Sequence, residues 1–412
     1  MGPDKKSGEL PFAEFVIIIS LMMSLMALSI DTMMPALSQI GVDLHIQNAN
    51  DRQLIISSIF LGLALGQFFF GPLSDKIGRK PAIYMGFGIY IVGVLFSIFS
   101  QNFPVMLAGR LLQGIGVSSP RSVTLAMVRD RYEGRLMARV MSFAMTVFIL
   151  VPLIAPSLGQ AILMVAGWRF IFVAFVIIAL ISLIWFALRM PETLPIEKRI
   201  PFSLQQIMTA SITIIKMPVS LGNTIAAGLV GGAFLGYLNS AQQIFQEQYA
   251  LGNLFPILFG IIALSLGLAS FLNAILVMRF GMRFLVNRAL KVVLALAVVA
   301  CVLSIAWGGI PPLWFFMTYL MTTFFCIGIL FGNLNALAMS PLGHIAGIGA
   351  AVVGSLSTLI QMSLGTLIGR SYNGTVLPVI IGIGLLIGLA ILVEHWSEKK
   401  QQRLEKQSIE IA

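Results

Sequence analysis

The sequence predicts an all-α membrane protein: 12 transmembrane helices in two pseudo-symmetric six-helix bundles, with both termini cytoplasmic. Three observations lead there. Of the 412 residues, 58% are hydrophobic and only 10% are charged, whereas a soluble domain carries roughly 25% charged residues because water must wet its surface. The apolar residues gather into runs near the ~20 residues that a helix needs to cross a bilayer. The basic residues cluster in alternate connections, as they do on the cytoplasmic side of membrane proteins. This composition excludes a large soluble domain, a nucleic-acid-binding module and a secreted disulfide scaffold. The net charge of +10 is assigned to cytoplasmic loops, with no nucleic-acid partner.

Residues 1–14 hold three acids and two lysines. They lack the basic head and short apolar core of a cleaved leader, so they are read as a cytoplasmic tail. The first six spans are placed at about 15–35, 53–72, 82–100, 104–127, 138–165 and 168–188, forming an N-terminal bundle over 15–188. A polar connector, 189–216, contains Pro191, Pro195 and Pro201 and is read as a cytoplasmic linker. The second six spans follow at about 217–239, 254–278, 287–308, 312–337, 345–369 and 376–396, a C-terminal bundle over 217–396. Residues 397–412 form a second cytoplasmic tail. In this arrangement 21 of the 26 Lys and Arg residues face inward, and only Arg52, Arg169 and Arg370 face outward. That ratio sets the orientation. An internal repeat supports the division: Lys76-Ile77-Gly78-Arg79-Lys80 follows the second span, and Arg279-Phe280-Gly281-Met282-Arg283 follows the eighth. Two parallel six-helix halves are a known transporter plan, with the binding site near the midplane between them.

The sharpest motif is Gly71-Pro72-Leu73-Ser74-Asp75-Lys76-Ile77-Gly78-Arg79-Lys80-Pro81, in the first inward loop. Gly71 and Gly78 permit close approach and unusual dihedrals. This segment resembles the signature loop of the major facilitator superfamily. Further stretches narrow the resemblance. They are Asp31-Thr32-Met33-Met34-Pro35, Arg110-Leu111-Leu112-Gln113-Gly114, Arg129-Asp130-Arg131, Ala155-Pro156-Ser157-Leu158-Gly159, Gly167-Trp168-Arg169 and Pro191-Glu192-Thr193-Leu194. Together they resemble the drug:proton antiporters of that superfamily, most closely the bicyclomycin-resistance (Bcr/CflA) efflux subfamily of bacterial inner membranes. The resemblance covers the first 195 residues well, and the second half matches in layout. The fifth-span pattern departs from the family's usual Gly-Pro followed by Gly-Gly. In the fourth span Leu125 stands where the subfamily often has an arginine, and Arg121 lies one turn earlier.

The resemblance implies an inner gate in which Asp75 meets the start of span eleven. Gly71, Gly78, Arg79, Lys80, Arg129 and Asp130 surround it; Arg129 could pair with Asp75 and tie spans two and four together, and the alternative for Asp75 is a solvated loop charge with an anchoring role. Pro156 and Gly159 are read as bending and close-packing positions of span five.

An ionisable group inside the bilayer costs at least ~2.5–3.5 kcal/mol on insertion scales and is functional by default. Asp31 is the one acid well inside a span. It is read as a proton-coupling carboxyl, or alternatively as a permanently paired salt bridge. Arg110 lies at a similar depth and is its expected partner. Arg121 is eleven residues beyond Arg110, within 20° of the same helix face, and Gln113 falls near that stripe. Arg121 either faces a substrate cavity or snorkels to the cytoplasmic interface. Tyr237, Asn239, Asn335 and Gln361 are the second-half polar candidates for lining that cavity.

Cys301 and Cys326 sit in apolar runs and read as small hydrophobes. His45, His344 and His395 lack metal-ligand spacing, so no metal is expected. No phosphate-binding loop is present, so the energy source is expected to be the proton gradient, with no cofactor. No nucleophile–base pair points to an enzyme. The expected function is proton-coupled export of small hydrophobic compounds or drugs by a monomer in the bacterial inner membrane. Its expected partners are a small-molecule substrate, protons and the lipid bilayer. The alternative is an exporter of one anionic metabolite, such as a siderophore or an organic acid.

Overall fold

The structure is a computed structural model and describes residues 10–411. Lys5, Lys6 and the rest of 1–9 lie outside the described residues, as does Ala412. Helix dominates the described residues, because lipid offers backbone groups no hydrogen-bonding alternative. Its helices are α1 (Phe12–Asp31), α2 (Leu37–Asp43), α3 (Leu54–Ile77), α4 (Arg79–Ile98), α5 (Phe103–Arg131), α6 (Gly134–Val165) and α7 (Arg169–Arg189). The second series is α8 (Leu204–Lys216), α9 (Pro218–Gln242), α10 (Phe255–Phe280), α11 (Met282–Ala306), α12 (Leu313–Met339), α13 (Ala346–Arg370) and α14 (Leu377–Ile411).

Among the described residues, 10 helices are long and apolar enough to cross a membrane. Twelve were expected. The two outside that set are α5, whose apolarity is diluted by Arg110, Arg121, Arg129, Asp130 and Arg131, and α6, of which Leu150–Val165 counts as an apolar stretch among the described residues. Local chemistry fixes several helix ends. The Asn102 side chain accepts from Val105 N at 3.0 Å and starts α5. Gly78 at φ +102° and Gly281 at φ +78° separate α3 from α4 and α10 from α11. A side chain is strained in that region, so the sequence repeat is also a conformational repeat.

Helices α1 and α3–α7 pack on one another, as do α9–α14. Two seams join these sets, α3 against α13 and α6 against α10. Both described termini lie at one end of the bundle, here termed the terminal end; the opposite end is the far end. The segments expected as linker and C-terminal tail both contain helix. The connector contains the amphipathic helix α8, capped by Ser203. Its Ile207 and Ile214 pack on Ala338, Leu342, Val352 and Val353, with Phe68 of α3 alongside. The apolar stripe of α8 gives it a face to bury, which the flanking prolines concealed. Helix α14 continues to Ile411, through the segment read as a tail.

Candidate functional site

Asp31 is the last residue of α1 and only 5% exposed. Among the described residues its carboxyl has neither an ion pair nor a hydrogen bond, which corrects the expected Asp31–Arg110 pair. Arg110 is fully buried and binds elsewhere. Its Nη2 donates to Ser29 O at 2.7 Å, its Nε to Ile55 O at 3.1 Å and its Nη1 to Gln113 Oε1 at 2.8 Å. The Phe172 ring lies 5.6 Å away. The carbonyls at a helix C-terminus carry partial negative charge, and Arg110 takes that charge at the end of α1. Ser29 and Asp31 are two residues apart, about 200° around the helix. Equal depth therefore did not mean equal facing.

Glycines bring these helices together. A Cβ on Gly62 would collide with Leu111 O, and one on Gly159 with Thr32 O. The first sets α3 against α5, and the second sets α6 against the end of α1 beside Asp31. Helix α6 runs through Pro152 and Pro156 as one element.

Across the centre stands Tyr237 of α9, fully buried. Its ring lies against Phe324 at 4.7 Å and stacks on Phe259 at 6.1 Å. Its hydroxyl has no hydrogen-bond partner and lies within electrostatic reach of Asp31. Thr32 Oγ1 is likewise buried and unpartnered. Buried polar groups are normally satisfied, yet among the described residues the Thr32 and Tyr237 hydroxyls are not, and no hydrogen bond to the Asp31 carboxyl is seen. At the contact between α1 and α5 the half-buried Arg121 guanidinium lies 3.1 Å from the Met26 sulfur. Among the described residues it has no carboxylate partner. Met26 is five residues before Asp31, roughly 8 Å along the helix.

The other cavity candidates separate. Gln113 is fully buried, and its Nε2 donates to Gly93 O and Ser97 Oγ. It faces the α4–α5 seam in this structure, a correction to its expected place on the cavity stripe. Asn239 is buried in the α3–α9–α13 seam, donating to Ser57 Oγ and Gly365 O at 3.2 Å each. Gln361 is half-buried against Gly231. Asn335 is exposed and donates to Phe331 O.

At the terminal end, Arg79 is the hub. Its Nη1 meets Asp75 at 2.5 Å and its Nε meets Asp130 at 2.9 Å. Arg129, the candidate partner of Asp75, is exposed, and no ion pair of it is seen among the described residues. Arg79 follows the left-handed Gly78 and is turned back between the two carboxylates, so it takes the place assigned to Arg129. Asp75 Oδ2 would lie 3.7 Å from a Cβ on Gly347, near the start of α13, and one on Gly71 would lie 3.3 Å from Ala351. Lys80 Nζ donates to Ala187 O.

Glu192, one member of the Pro191–Leu194 motif, is central here. Its carboxylate accepts from the backbone N–H groups of Arg79, Lys80, Thr193 and Leu194 at 2.9–3.0 Å. It caps α4 from more than a hundred residues away. Burial works to raise its carboxyl, but the four backbone donors outweigh that and leave it below the ordinary carboxylate value.

The far end carries a latch that the sequence did not reveal. Arg370 pairs with Asp51 at 2.7 Å and Arg52 with Glu247 at 3.0 Å. Asn50 Nδ2 donates to Arg370 O and Tyr372 O, and Gln53 Nε2 to Gln243 Oε1. Gln243 and Glu247 lie in a π-helical turn, Gln243–Gln248. The one available signal was that Arg52 and Arg370 break the charge bias.

Membrane helices in two packed sets, bridged by ion pairs at one end and carrying a charged hub on the first set at the other, define a transporter-like membrane protein. The family model described as Major Facilitator Superfamily matches residues 18–366, and the chain belongs to that family. It is 30% identical over 346 residues to the uncharacterised MFS-type transporter YdgK of Bacillus subtilis, covering 83% of this chain and 85% of that one. It is 25% identical over 401 residues to the bicyclomycin resistance protein homolog of Haemophilus influenzae, covering 93% and 95%. Its fold matches the partially occluded inward-open xylose transporter XylE of E. coli at a TM-score of 0.69 and 15% identity, covering 92% of this chain and 98% of that one.

Proposed function

We propose that this transporter exports small hydrophobic compounds across the bacterial inner membrane in exchange for protons, by alternating access. Twelve spans would place both termini in the cytoplasm, with α5 and α6 completing the ten apolar helices. Residues 15–188 and 217–396 would be the rocking halves, 189–216 the linker, and 1–14 and 397–412 the tails. The far-end latch would then close the periplasmic side, and the Asp75–Arg79–Asp130 hub would govern the cytoplasmic side. The protein would work as a monomer without a cofactor.

One observation supports the coupling: the Asp31 carboxyl is buried at the junction, and among the described residues it has no counter-ion. A carboxylate there lacks a partner for its charge, so a proton or a cationic group must supply one when the site closes. The aromatic wall of Tyr237, Phe259 and Phe324 suits apolar ligands. The relatives' resistance names agree with export of drug-like compounds. In everted vesicles, substrate should dissipate a pH gradient through the wild type, and Asp31→Asn should abolish this while folded protein remains in the membrane. Uphill export by Asp31→Asn at the wild-type rate would remove Asp31 from the coupling role.

A second reading rests on Arg121. A half-buried guanidinium without a carboxylate partner offers an anionic substrate a charge-assisted contact. It favours export of a siderophore or organic acid.

A further inference from the structure

A cavity of about 140 Å³ lies among the terminal ends of α9, α11, α12 and α14, apart from the central junction. A single water needs roughly 10–15 Å³, so the space admits a small organic group. Asn223 of α9, Arg283 of α11 and Glu394 and Glu398 of α14 line it. Asn223 is 4% exposed. Its Nδ2 donates to Val219 O at 2.8 Å, which leaves Oδ1 buried with no hydrogen-bond partner. Glu394 Oε1 is also buried and unpartnered. Glu398 and Arg283 are the charges that act on Glu394.

The repeat explains why the space is open. In the first half, the chain leaves α7 and turns Glu192 back onto the start of α4. In the second half, α14 continues as a helix, and among the described residues no side chain is seen to accept from the first N–H groups of α11. Among the described residues, the position filled by the Glu192 segment in one half therefore has no counterpart in the other. A second groove shares Arg283, Glu394 and Glu398 and runs between α11 and α14 past Val286, Leu290 and Ile391.

We infer that this cavity binds the primary ammonium of an aminophospholipid headgroup, with its phosphate on Arg283 and an acyl chain along the α11–α14 groove. The two carboxylates and the Asn223 oxygen are acceptors, and a primary ammonium brings three donors. Arg283 is exposed at the mouth, where a guanidinium suits a phosphate. The apolar groove continues from that mouth. Carboxylates and guanidinium together select a zwitterion over a purely anionic lipid.

The test uses the full chain, purified and delipidated in detergent. Native mass spectrometry and thermal unfolding are followed during titration with phosphatidylethanolamine or phosphatidylcholine of identical chains. The choline headgroup replaces every ammonium N–H with methyl. Retention of phosphatidylethanolamine at about tenfold lower concentration is expected, about the size of one charge-assisted contact. Glu394→Gln should remove most of that preference. Glu398→Gln alters a half-exposed residue, tolerable to the fold, and should also reduce it. Equal retention of both lipids overturns the assignment, as does a preference unchanged in both variants. Ethanolamine phosphate without lipid supplies the same ammonium and phosphate; stabilisation by it equal to that of the lipid overturns the lipid source in favour of a soluble amine.

Discussion

The far-end latch can be weakened without changing its shape. Asp51→Asn removes the charge facing Arg370, and Glu247→Gln removes the charge facing Arg52. The pairs are 2.7 and 3.0 Å long, but their side chains are 53% and 27% exposed in one and 17% and 40% in the other. Exposed pairs contribute roughly 0.2–1 kcal/mol each. The hydrogen bonds of Asn50 and Gln53 remain in both variants. The double variant should therefore lose about 0.5–2 kcal/mol of far-end closure. At 1.4 kcal/mol per tenfold, the open population should rise by roughly 2- to 30-fold. Spin labels at Val42 and Leu254, both exposed at the far end on opposite helix sets, would report the change by pulsed EPR, with Cys301 and Cys326 replaced by Ala. The longer-distance population should grow in the double variant. Raising the salt to about 1 M should shrink the difference, because exposed charges are screened within ~3 Å there. An unchanged distance distribution at low salt would refute a latch role for these pairs.

Three further outcomes follow from the geometry. Glu192→Gln should lower thermal stability at neutral pH; because the folded carboxyl is held below its ordinary value of 4.5, its contribution is present above that value and lost as pH falls through the depressed one, so melting curves of variant and wild type should converge in acid. Gly159→Ala should cost about 1–3 kcal/mol by overpacking against Thr32 O, seen as a lower melting temperature, while Gly167→Ala, with open space around it, should leave the melt unchanged. Arg121→Ala should weaken anionic ligands about tenfold or more relative to matched cations; measured affinities for a cationic, neutral and anionic set that keep their ranking would place Arg121 outside the substrate path.

Much of this protein was legible in one dimension because lipid imposes strong local rules. A helix must satisfy its own backbone, so runs of apolar residues such as Arg169–Arg189 announce themselves. The Gly78 and Gly281 repeat was visible because only glycine tolerates that backbone. Asp31 stood out because its burial is costly. Partner choice was a different matter. Depth along a helix can be counted from sequence, but the facing of one helix toward another depends on packing. Arg110 therefore met Ser29 O instead of Asp31, and Arg79 displaced Arg129 from Asp75. Glu192 capping α4, and Asp51 reaching Arg370 across some three hundred residues, exist only once the helices have assembled. Residue type alone dictates which groups cannot remain unpaired in lipid. The tertiary structure decided what each of them touches, since a charge is satisfied by whichever dipole or counter-ion the closest-packed helices bring within 3 Å.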